Sequence, residues 1–162
     1  MRILFLFTFL MFCLGCAEDC PECTTPAEPF RFIVVDEEGN NLLEPSNPDS
    51  VTVRSLVSPG KAAYQFGEMA FVGPQVENVR FIEVQGDLFY LNAHEEGGTE
   101  VVVNYQGGEL SDRFFVEMIW ESVPEDEDCS CLIERYAEVS QNGQDMDFHS
   151  PRLGIYALRK NN

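Results

Sequence analysis

Positive charge is scarce in this 162-residue sequence. Ten Lys and Arg residues stand against 28 Asp and Glu residues, which gives a formal net charge of −18 at pH 7. A chain this acidic repels a phosphate backbone, and no basic cluster along the sequence offsets the repulsion. Nucleic acid is therefore excluded as a partner. Hydrophobic residues, at 44%, are sufficient for a folded core, so the mature chain is expected to be globular.

A long apolar run is also missing. The uncharged N-terminal stretch, residues 3–17, is shorter than the roughly 18 residues that a membrane-spanning helix needs. It follows one basic residue, Arg2, and it ends in small residues, which is the pattern of a secretory signal peptide. The sequence therefore predicts export, with residues 1–15 removed.

Two cleavage sites compete at the end of this stretch. Gly15-Cys16 resembles a bacterial lipobox, and the resemblance implies that Cys16 becomes the first residue and carries lipid, including palmitate. Ordinary cleavage after Ala17 is the alternative, because Gly15 and Ala17 also satisfy the small-x-small rule. Several acyl chains hold a protein on a membrane permanently. The expected location is the cell envelope, lipid-anchored in the outer membrane and exposed at the cell surface.

Histidine is rare, and its rarity limits the catalytic chemistry. His94 and His149 are the only histidines, and neither lies near a convincing nucleophile in sequence. The many acids leave a glycosidase-type carboxylate pair open, but no pair stands out. The acidic turn at residues 36–41 has its glycine fourth, not sixth as in an EF-hand, which favours a plain turn over calcium. We predict no enzyme, no catalytic residue, no metal and no cofactor.

A helical period is missing from the body of the chain, which instead contains short alternating segments separated by Gly, Asn and Pro turns. The segments predicted to be strands are residues 30–35, 51–56, 80–85, 88–92, 99–105, 112–120, 131–140 and 153–158. This pattern predicts an all-β fold, an antiparallel β-sandwich of about eight strands that is immunoglobulin-like or transthyretin-like.

Turn residues predict how these strands connect. Gly86-Asp87 between two alternating runs predicts a hairpin, and Asn142-Gly143 predicts another. The least clear region is residues 58–79, in which residues 64–72 could form one strand or two that break at Gly67. Alternation also predicts which side chains face the core. The inward set is Phe30, Phe32, Val34, Ile82, Val84, Val101, Val103, Tyr105, Phe114, Val116, Met118 and Trp120.

These observations divide the chain into three parts. Residues 1–15 are the predicted lipoprotein signal peptide, residues 16–29 an acidic, cysteine-containing tether, and residues 30–162 the β-sandwich domain. The tether implies a membrane as one partner, reached through the N-terminal lipid.

Four cysteines remain after Cys16, namely Cys20, Cys23, Cys129 and Cys131. An exported protein lies outside the reducing cytosol, so disulfides are expected. Alternate strand residues such as Cys129 and Cys131 point the same way at about 6.6 Å, near the upper limit for a bridge. We therefore predict that Cys20 and Cys23 pair with Cys129 and Cys131, in an order left open. A zinc site is the alternative; thiol redox chemistry is less favoured because acids surround the Cys-Pro-Glu-Cys motif.

The order of these parts resembles that of small lipoproteins of the Bacteroidota. The resemblance rests on the lipid cysteine and acidic start, the strand and turn at residues 28–43, the segment at residues 112–120, and the hairpin at residues 138–148. It implies that Glu18-Asp19 acts as a surface-export signal, and it brings no particular activity. The first strand and turn also resemble the opening of transthyretin-like sandwich repeats.

The function expected from the sequence is that of a non-catalytic lipoprotein, a structural or binding module that contacts a protein or a glycan. The alternative is a carbohydrate-binding module, which needs two or three exposed coplanar aromatic side chains. The candidates are Tyr64, Phe66, Phe71 and Phe148. A zinc-binding or thiol redox protein is the lower alternative.

Overall fold

The computed structural model describes residues 24–58, 63–72, 76–107, 110–124 and 130–161. Within these residues the chain forms eleven strands, one α-helix and a 3₁₀ turn, Pro151–Leu153. In chain order the elements are β1 (Thr24–Thr25), β2 (Arg31–Val35), β3 (Val53–Val57), β4 (Ala63–Val72), β5 (Val76–Gln85), α1 (Asp87–His94), β6 (Thr99–Tyr105), β7 (Ser111–Pro124), β8 (Ser130–Gln141), β9 (Gln144–Asp145), β10 (Phe148–Ser150) and β11 (Ile155–Arg159). None of the described helices is long and apolar enough to cross a membrane.

The strands form two sheets. One has the order β1-β8-β7-β6-β3, with β9 also paired to β8, and the other has the order β10-β11-β2-β5-β4. The predicted all-β fold is confirmed, and the two sheets are consistent with a β-sandwich. Two pairs, β1 with β8 and β11 with β2, are parallel, so the sheets are mixed where the sequence predicted antiparallel pairing throughout.

Aromatic side chains join the two sheets. The ring of Phe30, just before β2, stacks on Phe114 of β7 with centroids 5.3 Å apart and on Tyr156 of β11 at 5.2 Å. Phe32 packs on Phe114 from the same side at 5.1 Å. All the predicted inward residues except Trp120 are buried. Alternation along the strands therefore identified these core residues correctly. It missed Ile33 and Val35, because strand β2 is buried on both faces.

The predicted strand at residues 88–92 is wrong: these residues lie in helix α1. Phe89 and Ala93, four residues apart, are both buried, whereas Leu88 and Leu91 on the opposite side are exposed. The predicted hairpin turn is absent because the chain does not turn back here. It leaves β5 in one sheet and crosses to β6 in the other, and α1 fills that connection.

Trp120 was predicted to face the core, but 48% of its surface is exposed. Strand β7 pairs with β6 only as far as Val116, yet β7 and β8 stay paired up to Pro124 and Ser130. We call residues 119–124 and 130–135 the β7–β8 arm. Trp120 points to the core side of its strand, but the arm extends beyond the other strands that cover that side.

Residues 64–72, which the sequence left as one strand or two, lie in a single strand, β4. Residues 76–79 begin strand β5, which forms a hairpin with β4. Gly67 does not break β4. Gly67 lies opposite Phe81 on strand β5. A Cβ on Gly67 would overlap the Phe81 ring at Cζ. The missing side chain is thus replaced by the ring of the neighbouring strand.

The predicted Asn142-Gly143 turn is confirmed, with φ of 56° and 73° as a tight hairpin turn requires.

A buried carboxylate fastens the C-terminal segment to the core. Asp112, at the start of β7, accepts hydrogen bonds from the Tyr105 hydroxyl at 2.6 Å and from the backbone and side-chain nitrogens of Asn161 at 3.0 and 2.7 Å. Burial, together with the bond to Asp112, raises the pKa of Tyr105, so this phenol stays a donor. The described chain is therefore tied down at residue 161.

We predict that Gly98→Ala destabilises the fold more than Gly97→Ala does, by about 1–3 kcal/mol. Both glycines have positive φ, so both substitutions carry the backbone strain of a left-handed alanine. Only at Gly98 would the new Cβ lie 2.6 Å from the Val116 carbonyl oxygen, which the β6–β7 pairing holds in place. Urea unfolding of both variants measures the difference. Equal losses would show that the close approach at Gly98 carries no cost.

Candidate functional site around Trp120

The N-terminal segment is built into the body of the fold from Thr24 onward. Thr24 lies opposite Leu132 and Thr25 opposite Ile133 in the parallel β1–β8 pair. Further along, the Tyr136 hydroxyl donates a hydrogen bond of 2.7 Å to the Glu28 carbonyl. Residues 24–29, which the sequence placed in the tether, thus make contacts with strand β8.

Glu134 connects three parts of the structure. One carboxylate oxygen lies 2.5 Å from Nε2 of His94 at the end of α1, and the other accepts a hydrogen bond of 3.0 Å from the backbone N–H of Ala27. Both side chains of the His94–Glu134 pair are mostly buried. Since a carboxylate can only accept, Nε2 of His94 carries the proton in this pair. The arm, the helix and the N-terminal segment are therefore held by one side chain.

Trp120 lies directly beside this pair. It is the cross-strand neighbour of Glu134 in the arm, and its ring stacks on the His94 imidazole with centroids 5.6 Å apart and planes within 3°. Stacking covers ring surface of Trp120, while half of the side chain stays accessible. We call Trp120, His94 and Glu134 the Trp120 cluster. Their contacts hold one exposed aromatic group, the indole of Trp120, in place.

Two tyrosines support the cluster from inside. Burial raises the pKa of Tyr136. Burial also raises the pKa of Tyr90, and a hydrogen bond from the backbone of Phe30 lowers it by less. Both phenols therefore remain protonated at neutral pH. Tyr136 acts as a donor toward the N-terminal segment rather than as a base, and it packs edge-on against the Phe30 ring at 5.5 Å.

Cys131, one strand position before Leu132, is disulfide-bonded. The candidates Cys20, Cys23 and Cys129 lie outside the described residues, as does the lipidation candidate Cys16. The cross-pairing and the lipidation therefore stay predictions.

The aromatic side chains considered for carbohydrate binding do not form a row where they are described. The Tyr64 and Phe66 rings are nearly perpendicular, at 82°, and the guanidinium of Arg80 lies over the Phe66 ring at 4.7 Å. Phe148 stacks on Tyr156 of its own sheet at 4.4 Å. The side chain of Phe71 lies outside the described part of the chain. This geometry gives no coplanar platform from these residues.

The acidic turn at Asp36 is self-contained. Its carboxylate accepts hydrogen bonds from the backbone and side-chain nitrogens of Asn40, at 2.7 and 2.8 Å, and the side-chain bond is the main reason that the pKa of Asp36 is lowered. Among the residues that the structure describes, no group of three or more His, Cys, Asp or Glu side chains could hold a metal ion.

Sequence reasoning missed the pairing of His94 with Glu134, which are 40 residues apart. It found no nucleophile near His94 in sequence and gave Glu134 no role. The available signal was the four-residue spacing of Phe89 and Ala93, which predicts a helix that ends near His94. Nothing in the sequence indicated that the helix would end against the β7–β8 arm.

We predict that His94→Ala exposes Trp120 and lowers the free energy of unfolding by about 1–2 kcal/mol, because Glu134 loses one of its two partners and the indole loses its stacked ring. Acrylamide quenching of fluorescence reports on this position alone, since Trp120 is the only tryptophan of the chain. His149→Ala, on strand β10 of the other sheet, is the matched control and should leave the quenching unchanged. Unchanged quenching in His94→Ala would contradict the stacked arrangement.

We also predict that the partner of Cys131 is Cys23. Thr24 pairs in parallel with Leu132, and the residue before each of these two is a cysteine. Neighbouring strands lie about 4.8 Å apart, which is within the range that a disulfide spans.

A glutamate-specific protease resolves this pairing under non-reducing conditions. It cleaves after Glu22 but not at the Glu28-Pro29 bond, so Cys20 and Cys23 fall in separate peptides, residues 19–22 and 23–37. In the Cys129→Ser variant, the peptide of residues 23–37 should stay linked to that of residues 128–134. A link from residues 19–22 to Cys131 in that variant would refute the pairing.

No protein-family model, no curated protein and no solved structure matches this chain. The function of the protein therefore has to be argued from its own residues, and the Trp120 cluster beside the N-terminal segment is its best-defined exposed site.

Proposed function

We propose that the protein is a non-catalytic, lipid-anchored envelope lipoprotein that acts as a binding module held close to the membrane. The observation that carries the proposal is the attachment of the N-terminal segment to the body at Thr24, eight residues after the predicted lipid cysteine. Eight residues span at most about 29 Å when fully extended. The β1–β8 end of the body would therefore stay within that distance of the bilayer.

The attachment of the N-terminal segment would also transmit force from the lipid to the core. Strand pairing at Thr24, the Ala27 bond to Glu134 and the Glu28 bond to Tyr136 act in series, and Phe30 follows as a fully buried core residue. Such a series transmits a pull on the lipid directly to the core. This is the arrangement expected of a domain that is displayed at a membrane in a restricted orientation.

The chemistry of the Trp120 cluster favours binding over catalysis. The His94 ring is engaged on its face by Trp120 and at Nε2 by Glu134, so this nitrogen serves the fold. The tyrosines beside it are neutral donors. What the cluster offers to solvent is an aromatic surface, which is typical of a recognition site.

We predict that radiolabelled palmitate is incorporated into the wild-type protein and that Cys16→Ala abolishes the incorporation. Cys13→Ala is the matched control, because Cys13 lies three residues earlier in the predicted signal peptide and is expected to be removed. Its substitution should leave the labelling intact. A mature protein that starts at Glu18 and is recovered without lipid would contradict the proposal.

A further inference from the structure

Four large apolar side chains are exposed on the side of the molecule that carries the Trp120 cluster. Leu88 and Leu91 of helix α1 are 52% and 61% exposed, and Trp120 and Leu132 of the β7–β8 arm are 48% and 46% exposed. Nine large hydrophobic residues in the described part of the chain are at least 36% exposed, and four of them lie on this side of the molecule. Scattered exposed residues need no explanation, but a cluster does.

The four side chains follow one another across the surface. Leu88 and Leu91 are three residues apart on α1, and His94 follows three residues later, so all three lie on one helical face. His94 stacks on Trp120. Trp120 pairs with Glu134, and Leu132 is the next residue on the same face of β8, which makes it the diagonal neighbour of Trp120. We call these four residues the Leu91–Trp120 strip.

Acidic residues border the strip. Asp87 begins the helix, and Glu95 and Glu96 follow it directly. None of these three forms an ion pair within the described residues, whereas Glu121 of the arm is paired with Arg135. The uncompensated charge around the strip is therefore negative, in keeping with the net charge of the chain.

We propose that the Leu91–Trp120 strip is a docking surface for a partner protein, and that the segment bound there is amphipathic, with apolar side chains flanked by Lys or Arg. Apolar residues of the partner would cover the leucines and the indole, and its cations would face the acids at both ends of helix α1. The exposed area is on the order of a few hundred Å², which suits a transient contact. The proposal rests on the protein being a binding module, but not on its lipid.

A second copy of the chain fits this surface poorly, because each copy would bring the same acids and a net charge of −18. A lipid bilayer is the other candidate, since the strip adjoins the segment that leads to Cys16. Bilayers with anionic headgroups would repel the bordering acids. The charge around the strip therefore favours a basic protein segment.

The test uses the full-length chain with Cys16→Ala, so that a failure of lipidation and a failure of docking give separate results. The probe is a fluorescein-labelled 14-residue helical peptide of leucine and lysine with one apolar face. The matched peptide has glutamate in place of lysine. Fluorescence anisotropy gives the affinity, and the emission of Trp120 locates binding, since neither peptide contains tryptophan.

We expect the lysine peptide to bind, to change the Trp120 emission and to bind less tightly as salt is raised. The glutamate peptide should not bind. Leu91→Ser should weaken binding of the lysine peptide at least ten-fold. Leu110→Ser, which changes a leucine of similar exposure outside the strip, should leave the affinity unchanged. Urea unfolding of both variants confirms that they are folded.

Two results would overturn the proposal. Equal affinity of the lysine peptide for the wild type and Leu91→Ser would mean that the peptide binds through the overall negative charge. A change of Trp120 emission with vesicles of phosphatidylethanolamine and phosphatidylglycerol, but with neither peptide, would assign the strip to the membrane.

Discussion

The structure around the candidate site depends on the carboxylate of Glu134. Its two oxygens hold His94 at the end of the helix and the backbone of Ala27 in the N-terminal segment, while its backbone belongs to the β7–β8 arm. A mostly buried carboxylate is tolerated only where each oxygen has a donor. The helix, the arm and the N-terminal segment therefore keep their positions together, and the exposed indole of Trp120 owes its orientation to the same carboxylate.

Much of the core was predictable from the sequence because strand alternation alone identifies it. Phe32, Val34 and Phe114 face the opposite sheet since successive side chains of a strand point to opposite faces. The same rule assigned Trp120 to the correct face of β7 but could not tell whether another element covers it there. The extent of the opposite sheet is set by distant residues, so the exposure of Trp120 could not be derived locally.

Helix α1 and the parallel pairs were missed for a related reason. Residues 88–91 form a short apolar run that suits a strand or a helix, and the position of this run between two different sheets favours the helix. The β1–β8 pair joins residues more than 100 positions apart, which no local turn predicts. The Trp120 cluster was missed for both reasons, since it forms only where the helix, the arm and the N-terminal segment meet.

In the proposed binding module, the acidic composition and the lipid tether would act together on binding. A net charge of −18 opposes association between copies and with anionic surfaces, so an exposed apolar strip can persist without causing aggregation. With the proposed lipid on Cys16, attachment of the N-terminal segment at Thr24 would confine the strip to a thin layer beside the membrane. Confinement raises the effective concentration toward any partner in the same layer, so a small interface of modest affinity suffices there. A short tether and a small apolar strip within an acidic surface therefore suit a contact that forms at the membrane and dissociates readily.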